Sequence, residues 1–258
     1  MSKHLFVIAM LFTCVSVFGD DAINEWLAKQ PIKVGEKTTQ HIAITANNNA
    51  NNNNAYIYAG STLMHFASAE GRLDVMKWLY EQGLDVDAKT DHGRTPMHDA
   101  ARYGHIEAME WLKDQGSDIN TRTITNGRSP MHSASNSGIL NSMKWLKDQC
   151  ADIFEKDNYG WTTMHWVSRN GSIDMIKWLA DEGVDVETKD DEGKTPMHYA
   201  AEYGQLEAMK ALKEYGADVN AKANNGKTPL DFAKNRKIIE WLKESIAETA
   251  PTLQIDIF

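Results

Sequence analysis

The chain has 258 residues, a formal net charge of −9 at pH 7 and only two cysteines. An acidic surface repels phosphate backbones, so nucleic-acid binding is not expected. One of them, Cys14, lies in an N-terminal segment that is predicted to be cleaved off, so the mature chain is expected to hold no internal disulfide.

Residues 1–19 have the layout of a secretory signal peptide. Lys3 precedes a run of 14 mostly apolar residues, which is too short to span a bilayer comfortably. We expect cleavage near Gly19/Asp20 and a secreted or periplasmic protein without a membrane span. A buried N-terminal helix is one alternative. Lipidation at Cys14 is another, although Thr precedes it where a lipoprotein box prefers Gly, Ala or Ser.

Residues 20–32 are predicted to form an N-terminal capping helix. Ile23, Trp26 and Leu27 fall at i, i+3 and i+4, which makes one apolar helix face. Residues 33–59 then hold two runs of asparagine, and polar amides cannot offset the entropy of ordering by burial. We expect a flexible spacer there; an adhesive functional element is the alternative.

One phrase recurs through the rest of the chain. A hydroxyl residue is followed three positions later by histidine in Thr62-Leu-Met-His65, Thr95-Pro-Met-His98, Ser129-Pro-Met-His132, Thr162-Thr-Met-His165 and Thr195-Pro-Met-His198. The copies step by 33, 34, 33 and 33 residues, and an altered copy starts at Thr228 after another 33. Such a period indicates a repeat protein whose stacked units bury one continuous core.

A period near 33 with text close to TPLH resembles the ankyrin-repeat family, from about Gly60 to Lys243. The resemblance implies an all-α solenoid of helix-turn-helix units with short β-hairpin loops. Five repeats are expected within 60–222, at 60–90, 91–123, 124–156, 157–189 and 190–222. A C-terminal capping repeat is expected at 223–244, and a tail at 245–258 could pair as a strand or remain free.

The third repeat is irregular. In other repeats a glycine follows the second helix and suits a left-handed C-cap, but Cys150 stands at that position here. The loop from Asp118 to Gly127 is also one residue longer than its counterparts. We therefore expect the third repeat to be the weak point of the array.

Two columns of recurring residues suggest chemistry but fit structural roles. The histidine column suggests a metal site or a pH switch. The family resemblance instead implies that these histidines stand too far apart to share one ion, and that each bonds its own Thr or Ser and the neighbouring turn. The tryptophan column is expected to be buried core; its members are Trp78, Trp111, Trp145 and Trp178. No catalytic motif occurs, so neither catalysis nor a cofactor or metal site is expected.

Residues that depart from the repeat pattern are the candidates for partner binding. The resemblance implies contact through the hairpin tips and the first helices on the concave side, where aromatic and Arg residues supply most interface hot spots. The candidates are Tyr159, Trp161, Trp166, Arg169, Tyr199, Tyr203, Arg102 and Tyr103. Alternatively, Trp166 and Tyr199 only fill the groove.

The sequence thus predicts an exported, monomeric ankyrin-repeat scaffold that binds an unidentified protein partner through its concave face and hairpin tips. The alternative, from a different class, is a small-molecule or carbohydrate binder using the same aromatic groove, because Trp and Tyr suit sugar faces.

Overall fold

The computed structural model describes Glu25 and residues 60–249. The predicted signal peptide, the Asn-rich insertion and all of the predicted capping helix except Glu25 lie outside the described residues, as does the tail beyond Thr249. The chain divides into two compact units, residues 1–125 and 126–258, here called the first and second unit.

Paired helices joined by turns make up residues 60–249, with no strand among them. The first unit contains α1 (Leu63–Ala69), α2 (Leu73–Glu81), α3 (Pro96–Tyr103) and α4 (Ile106–Asp114). The second contains α5 (Pro130–Ser137), α6 (Leu140–Asp148), α7 (Thr163–Asn170), α8 (Ile173–Asp181), α9 (Pro196–Glu202), α10 (Leu206–Glu214), α11 (Pro229–Phe232) and α12 (Arg236–Thr249). None of these described helices is long and apolar enough to cross a membrane.

Each repeat consists of a first and a second helix, and the first helices of successive repeats pack on one another within each unit. In the first unit α1 packs on α3, and in the second α5 packs on α7, α7 on α9 and α9 on α11. Each first helix also packs on the second helix of its own repeat, as α7 does on α8. This repeat of helix pairs confirms the predicted all-α class.

The hairpin loops are tight turns rather than strands. The Asp157 N–H donates to the Trp161 carbonyl at 2.8 Å, closing one loop, and the Asp190 N–H donates to the Lys194 carbonyl at 3.0 Å, closing the next. The Asp191 N–H then donates to the Tyr159 carbonyl at 3.1 Å and joins the two loops. A single bond across each loop is too little for a strand.

Histidines of the column link neighbouring repeats within each unit, as the family resemblance implies. The Thr162 N–H donates to His165 Nδ1 at 3.1 Å, and the opposite ring atom, Nε2, lies 3.2 Å from the Lys194 carbonyl oxygen of the following loop. Because Nδ1 accepts, Nε2 carries the proton and donates. The same pair of contacts occurs at His65 and His198.

Burial keeps these histidines neutral. It lowers the pKa of His165 to about 4 and also lowers the pKa of His65 and of His198. Between residues 60 and 249, no three His, Cys, Asp or Glu side chains cluster closely enough to hold a metal ion.

The last repeat has Asp231 where the others have histidine. The Thr228 N–H and hydroxyl donate to Asp231 Oδ2 at 2.7 and 2.9 Å. These bonds favour the carboxylate and hold the pKa of Asp231 below its ordinary value.

The prediction that the tryptophan column is buried core is wrong. Trp145 is only half-buried, whereas Met143 and Leu146 beside it on α6 are fully buried, and the other column members are half-buried too: Trp78, Trp111 and Trp178. A helix turns by about 100° per residue, so a residue next to the inward-facing leucine lies at the edge of the buried face. The core therefore consists mainly of Met, Leu and Ala.

Cys150 adopts the left-handed conformation, with φ of +68°, and it is the only non-glycine residue with positive φ among those described. Its N–H donates to the Lys147 carbonyl at 2.8 Å, and the Ala151 N–H donates to the Leu146 carbonyl at 2.9 Å. This pair of bonds is the Schellman motif, which requires left-handed backbone at the cysteine. The thiol is free and exposed.

The final helix extends beyond the predicted end of the capping repeat at 244. α12 ends at Thr249, so the first five residues of the predicted tail are helical. Lys213 on α10 explains the extension, since its ammonium donates to Ser245 Oγ at 3.2 Å and to Glu248 at 2.8 Å.

Candidate functional site

Two neighbouring hairpin loops of the second unit form one wall of a groove. Asp157 and Asp190, equivalent in adjacent repeats, organise the loops from within. Oδ1 of Asp157 accepts the backbone N–H groups of Tyr159 and Trp161 at 2.9 and 3.0 Å. Oδ1 of Asp190 accepts the backbone N–H groups two and four residues on, at 2.9 and 2.8 Å. Both loops are therefore fixed by buried carboxylates.

Gly160 permits the close approach of these loops. Its φ is +78°, and an added Cβ would lie 2.7 Å from Asp191 Oδ1 and 2.8 Å from the Asp191 backbone nitrogen. A side chain at this position would push the loops apart.

The other wall comes from helices α7 and α9. Trp166 and Arg169 are three residues apart on α7, and Tyr199 on α9 is four residues before Tyr203, the residue that directly follows α9. Residues at these spacings lie on the same helix face. Trp166 and Tyr199 occupy the same position in successive repeats, so the two helices present their aromatic rings side by side.

Trp161 joins the aromatic rings into a cluster. Its ring centroid lies 4.5 Å from that of Trp166 and 4.2 Å from that of Tyr199. Trp166 and Tyr199 are buried, Trp161 is half-buried, and Tyr159 and Tyr203 stay exposed. The buried pair thus fills the groove floor, and its rim carries the accessible rings.

The groove is positively charged at the Trp166 end. The Arg128 guanidinium carbon lies 4.3 Å from the centre of the Trp166 ring, and Arg128 Nε donates to Asp157 at 3.1 Å. Arg169 lies 5.6 Å from the Trp166 ring and 4.6 Å from the Tyr203 ring.

Carboxylates surround the other end. Burial and the Asp190 carboxylate, which accepts the Tyr199 hydroxyl, raise the pKa of Tyr199, so the phenol stays protonated and donates. Lys194 pairs with Glu192 at 2.9 Å. Burial opposes the charge of Lys194, but the Glu192 bond and charge raise its pKa, so it stays cationic.

The structure brings six of the eight predicted binding residues into this groove of about 550 Å³: Tyr159, Trp161, Trp166, Arg169, Tyr199 and Tyr203. The other two, Arg102 and Tyr103, lie on α3 of the first unit and do not line it.

Charged residues complete the lining, and none of them is among the eight predicted residues: Arg128, Lys194, Asp190, Asp191, Glu192 and Glu202. All except Asp190 stand at hairpin-tip or first-helix positions, where the family resemblance implies partner contact. The repeat register contains a signal for two of them. Arg128, Trp161 and Lys194 occupy one repeat position in three consecutive repeats, so choosing Trp161 points to the other two as its neighbours.

The paired helices define a helical repeat protein, and neighbouring repeats of the second unit share a groove. The family model described as ankyrin repeats (3 copies) matches residues 11–123, 121–190 and 182–252. The chain belongs to the ankyrin-repeat family, which typically supplies protein–protein interaction scaffolds and is usually non-catalytic. No curated protein matches the chain.

Proposed function

We propose that this chain is an exported, non-catalytic and monomeric scaffold that captures a protein partner in the groove of the second unit. The supporting observation is the groove itself, in which aromatic and Arg side chains from adjacent repeats converge on loops fixed by Asp157 and Asp190. Aromatic and Arg side chains dominate interface hot spots, and fixed loops reduce the entropy lost on binding.

The rim supplies accessible contact area. Tyr159 is 55% exposed and Tyr203 is 47% exposed, so both rings can contact a partner without disturbing the core. Arg169 stacks on Tyr203, which orients the guanidinium before a partner arrives.

The carbohydrate alternative has one supporting observation. The groove volume of about 550 Å³ is within the usual range for small-ligand sites. A sugar, however, needs a free aromatic face. Arg128 stacks on the Trp166 ring, and Trp161 packs against both Trp166 and Tyr199, so the geometry favours a protein partner.

Crosslinking of the mature chain to proteins from its native host tests this function. A partner should be captured by the wild type and lost with Tyr159→Ser combined with Tyr203→Ser. Tyr80→Ser is the matched control, because Tyr80 is 45% exposed and lies on α2 of the first unit. Capture that survives the double substitution contradicts the groove assignment, and a glycan-array signal without any protein partner supports the carbohydrate alternative.

Export rests on residues 1–19 and has its own test. Sequencing of the N-terminus of protein from the native host should begin at or near Asp20. Lipid attached to Cys14 would favour the lipoprotein alternative, and a mature start at Met1 would contradict export.

A further inference from the structure

The Trp166 end of the groove contains two N–H donors that have no acceptor. Trp166 is only 4% exposed, and its Nε1 is buried without a hydrogen-bond partner; the same holds for Nε of Arg169. Buried donors are rarely left unpaired, because they give up water without a replacement. The two belong to one helix face, three residues apart on α7, and both residues line the groove.

The charge around these donors selects the kind of acceptor. Arg128 and Arg169 both approach the Trp166 ring, at 4.3 and 5.6 Å. Arg128 is already paired with Asp157, whereas in the described part of the chain no carboxylate lies within ion-pair distance of Arg169. An anionic oxygen ligand would therefore satisfy a donor and a charge together.

A carboxylate fits better than a phosphate. Its two coplanar oxygens match the planar fork of a guanidinium. The acidic groups at the other end of the groove, such as Glu192, would repel a dianion more strongly than a monoanion. That end suits neutral or basic residues flanking the carboxylate.

We propose that the groove recognises a peptide segment of a partner protein through one Asp or Glu side chain, seated beside Trp166 and Arg169. The inference rests on the proposed function and names the chemistry of the partner. The groove is much larger than one carboxylate, and its exposed rim at Tyr159 and Tyr203 accommodates the flanking residues. Seating the carboxylate shifts the flexible arginine side chains and gives the Trp166 N–H and the Arg169 Nε–H an acceptor.

The test begins with selection of binders from a displayed library of random peptides on the full chain. Selected peptides should share an Asp or Glu. A synthetic copy of one selected peptide, and a copy with that acid replaced by its amide, are then titrated by calorimetry. The amide copy should bind about tenfold more weakly, as expected for loss of a charged hydrogen bond.

Two substitutions separate the donors. Arg169→Gln and Trp166→Phe should each weaken the acidic peptide about tenfold and leave the amide copy almost unchanged. Trp166→Phe keeps an aromatic ring and removes only the N–H bearing part, so the fold is retained. Lys210→Gln removes the same charge from an exposed site on α10 that does not line the groove, and it should change nothing.

The outcomes distinguish this inference from the proposed function. If acidic and amide peptides bind alike, or if Arg169→Gln and Trp166→Phe have no effect while Tyr203→Ser abolishes binding, the carboxylate assignment is overturned and the groove stands. If Tyr203→Ser and Tyr159→Ser also leave binding unchanged, the proposed function fails as well. A library that yields no binder overturns the inference, and binding of free succinate in its place identifies a small-molecule site.

Discussion

Replacing Cys150 with glycine should stabilise the protein. A non-glycine residue in the left-handed conformation costs about 1–2 kcal/mol, and glycine returns part of that through the greater entropy of the unfolded chain. We therefore expect Cys150→Gly to raise the free energy of unfolding by about 1 kcal/mol. For a folded region of this size, that corresponds to an increase in Tm of about 2–4 °C.

The expected gain in stability comes from relief of backbone strain and not from relief of steric crowding, as the equivalent position of the next repeat indicates. At the equivalent glycine of the next repeat, Gly183, φ is +86° and an added Cβ would have no neighbour within 4 Å. The reciprocal substitution Gly183→Cys should therefore lower the free energy of unfolding by about 1 kcal/mol. Cys150→Ala keeps the Cβ and removes the thiol, so it should leave stability almost unchanged.

Thermal and urea unfolding of the full chain under reducing conditions measure these differences. Hydrogen exchange should also show slower exchange in α6 of the Cys150→Gly variant, because a repeat array opens locally. The explanation fails if Cys150→Ala stabilises as much as Cys150→Gly, since the thiol would then be responsible. Maximal protection of residues 124–156 in the wild type would contradict the expectation of a weak third repeat.

Three further predictions concern the rest of the fold. The free energy of unfolding should fall as the pH drops from 6.5 toward 4, by up to about 1.4 kcal/mol per pH unit for His165. The reason is that His165 binds a proton at its ordinary pKa of 6.5 in the unfolded chain, but only near pH 4 in the folded chain. Urea unfolding at several pH values measures this change, and a flat profile contradicts it. Leu146→Ala should lower the free energy of unfolding by about 2–5 kcal/mol, and Trp145→Ala by clearly less, since only the leucine is fully buried. Equal losses in urea unfolding would show that the tryptophan column belongs to the core. Gly160→Ala should lower the free energy of unfolding by about 1 kcal/mol or more, because the added Cβ would meet the Asp191 backbone. Unchanged thermal stability would refute the tight contact between the loops.

The sequence predicts the architecture well because the repeat phrase carries its own mechanism. The Thr and His of each copy are spaced to cap a helix, so the phrase fixes where each first helix begins and what its histidine bonds. The glycines that follow the second helices likewise predict the left-handed turn at Cys150, because Cys150 occupies the equivalent position and must adopt the same backbone conformation.

The repeat pattern does not determine which way a column faces or which side chains of different repeats come into contact. A column shows which residues are equivalent, but not whether they face inward, and Trp145 next to Leu146 looks equally apolar in the sequence. The unpaired N–H of Trp166 depends on distances between side chains of different repeats. The repeat register marks Arg128 as a neighbour of Trp161, but the 4.3 Å contact of its guanidinium with the Trp166 ring likewise depends on side-chain positions in different repeats.

The histidine contacts give the array a direction. His65, His132, His165 and His198 each accept a hydrogen bond from their own repeat and donate one to a carbonyl of the next repeat. The hydrogen bonds of such a repeat are therefore complete only when another repeat follows it. Asp231 keeps the inward bonds with Thr228 but, as a carboxylate, has no proton to pass forward. Repeats inserted before Thr228 would therefore form the same histidine hydrogen bonds, whereas a repeat added after α12 would receive no such bond from Asp231. Lengthening the array from that end requires restoring histidine at position 231.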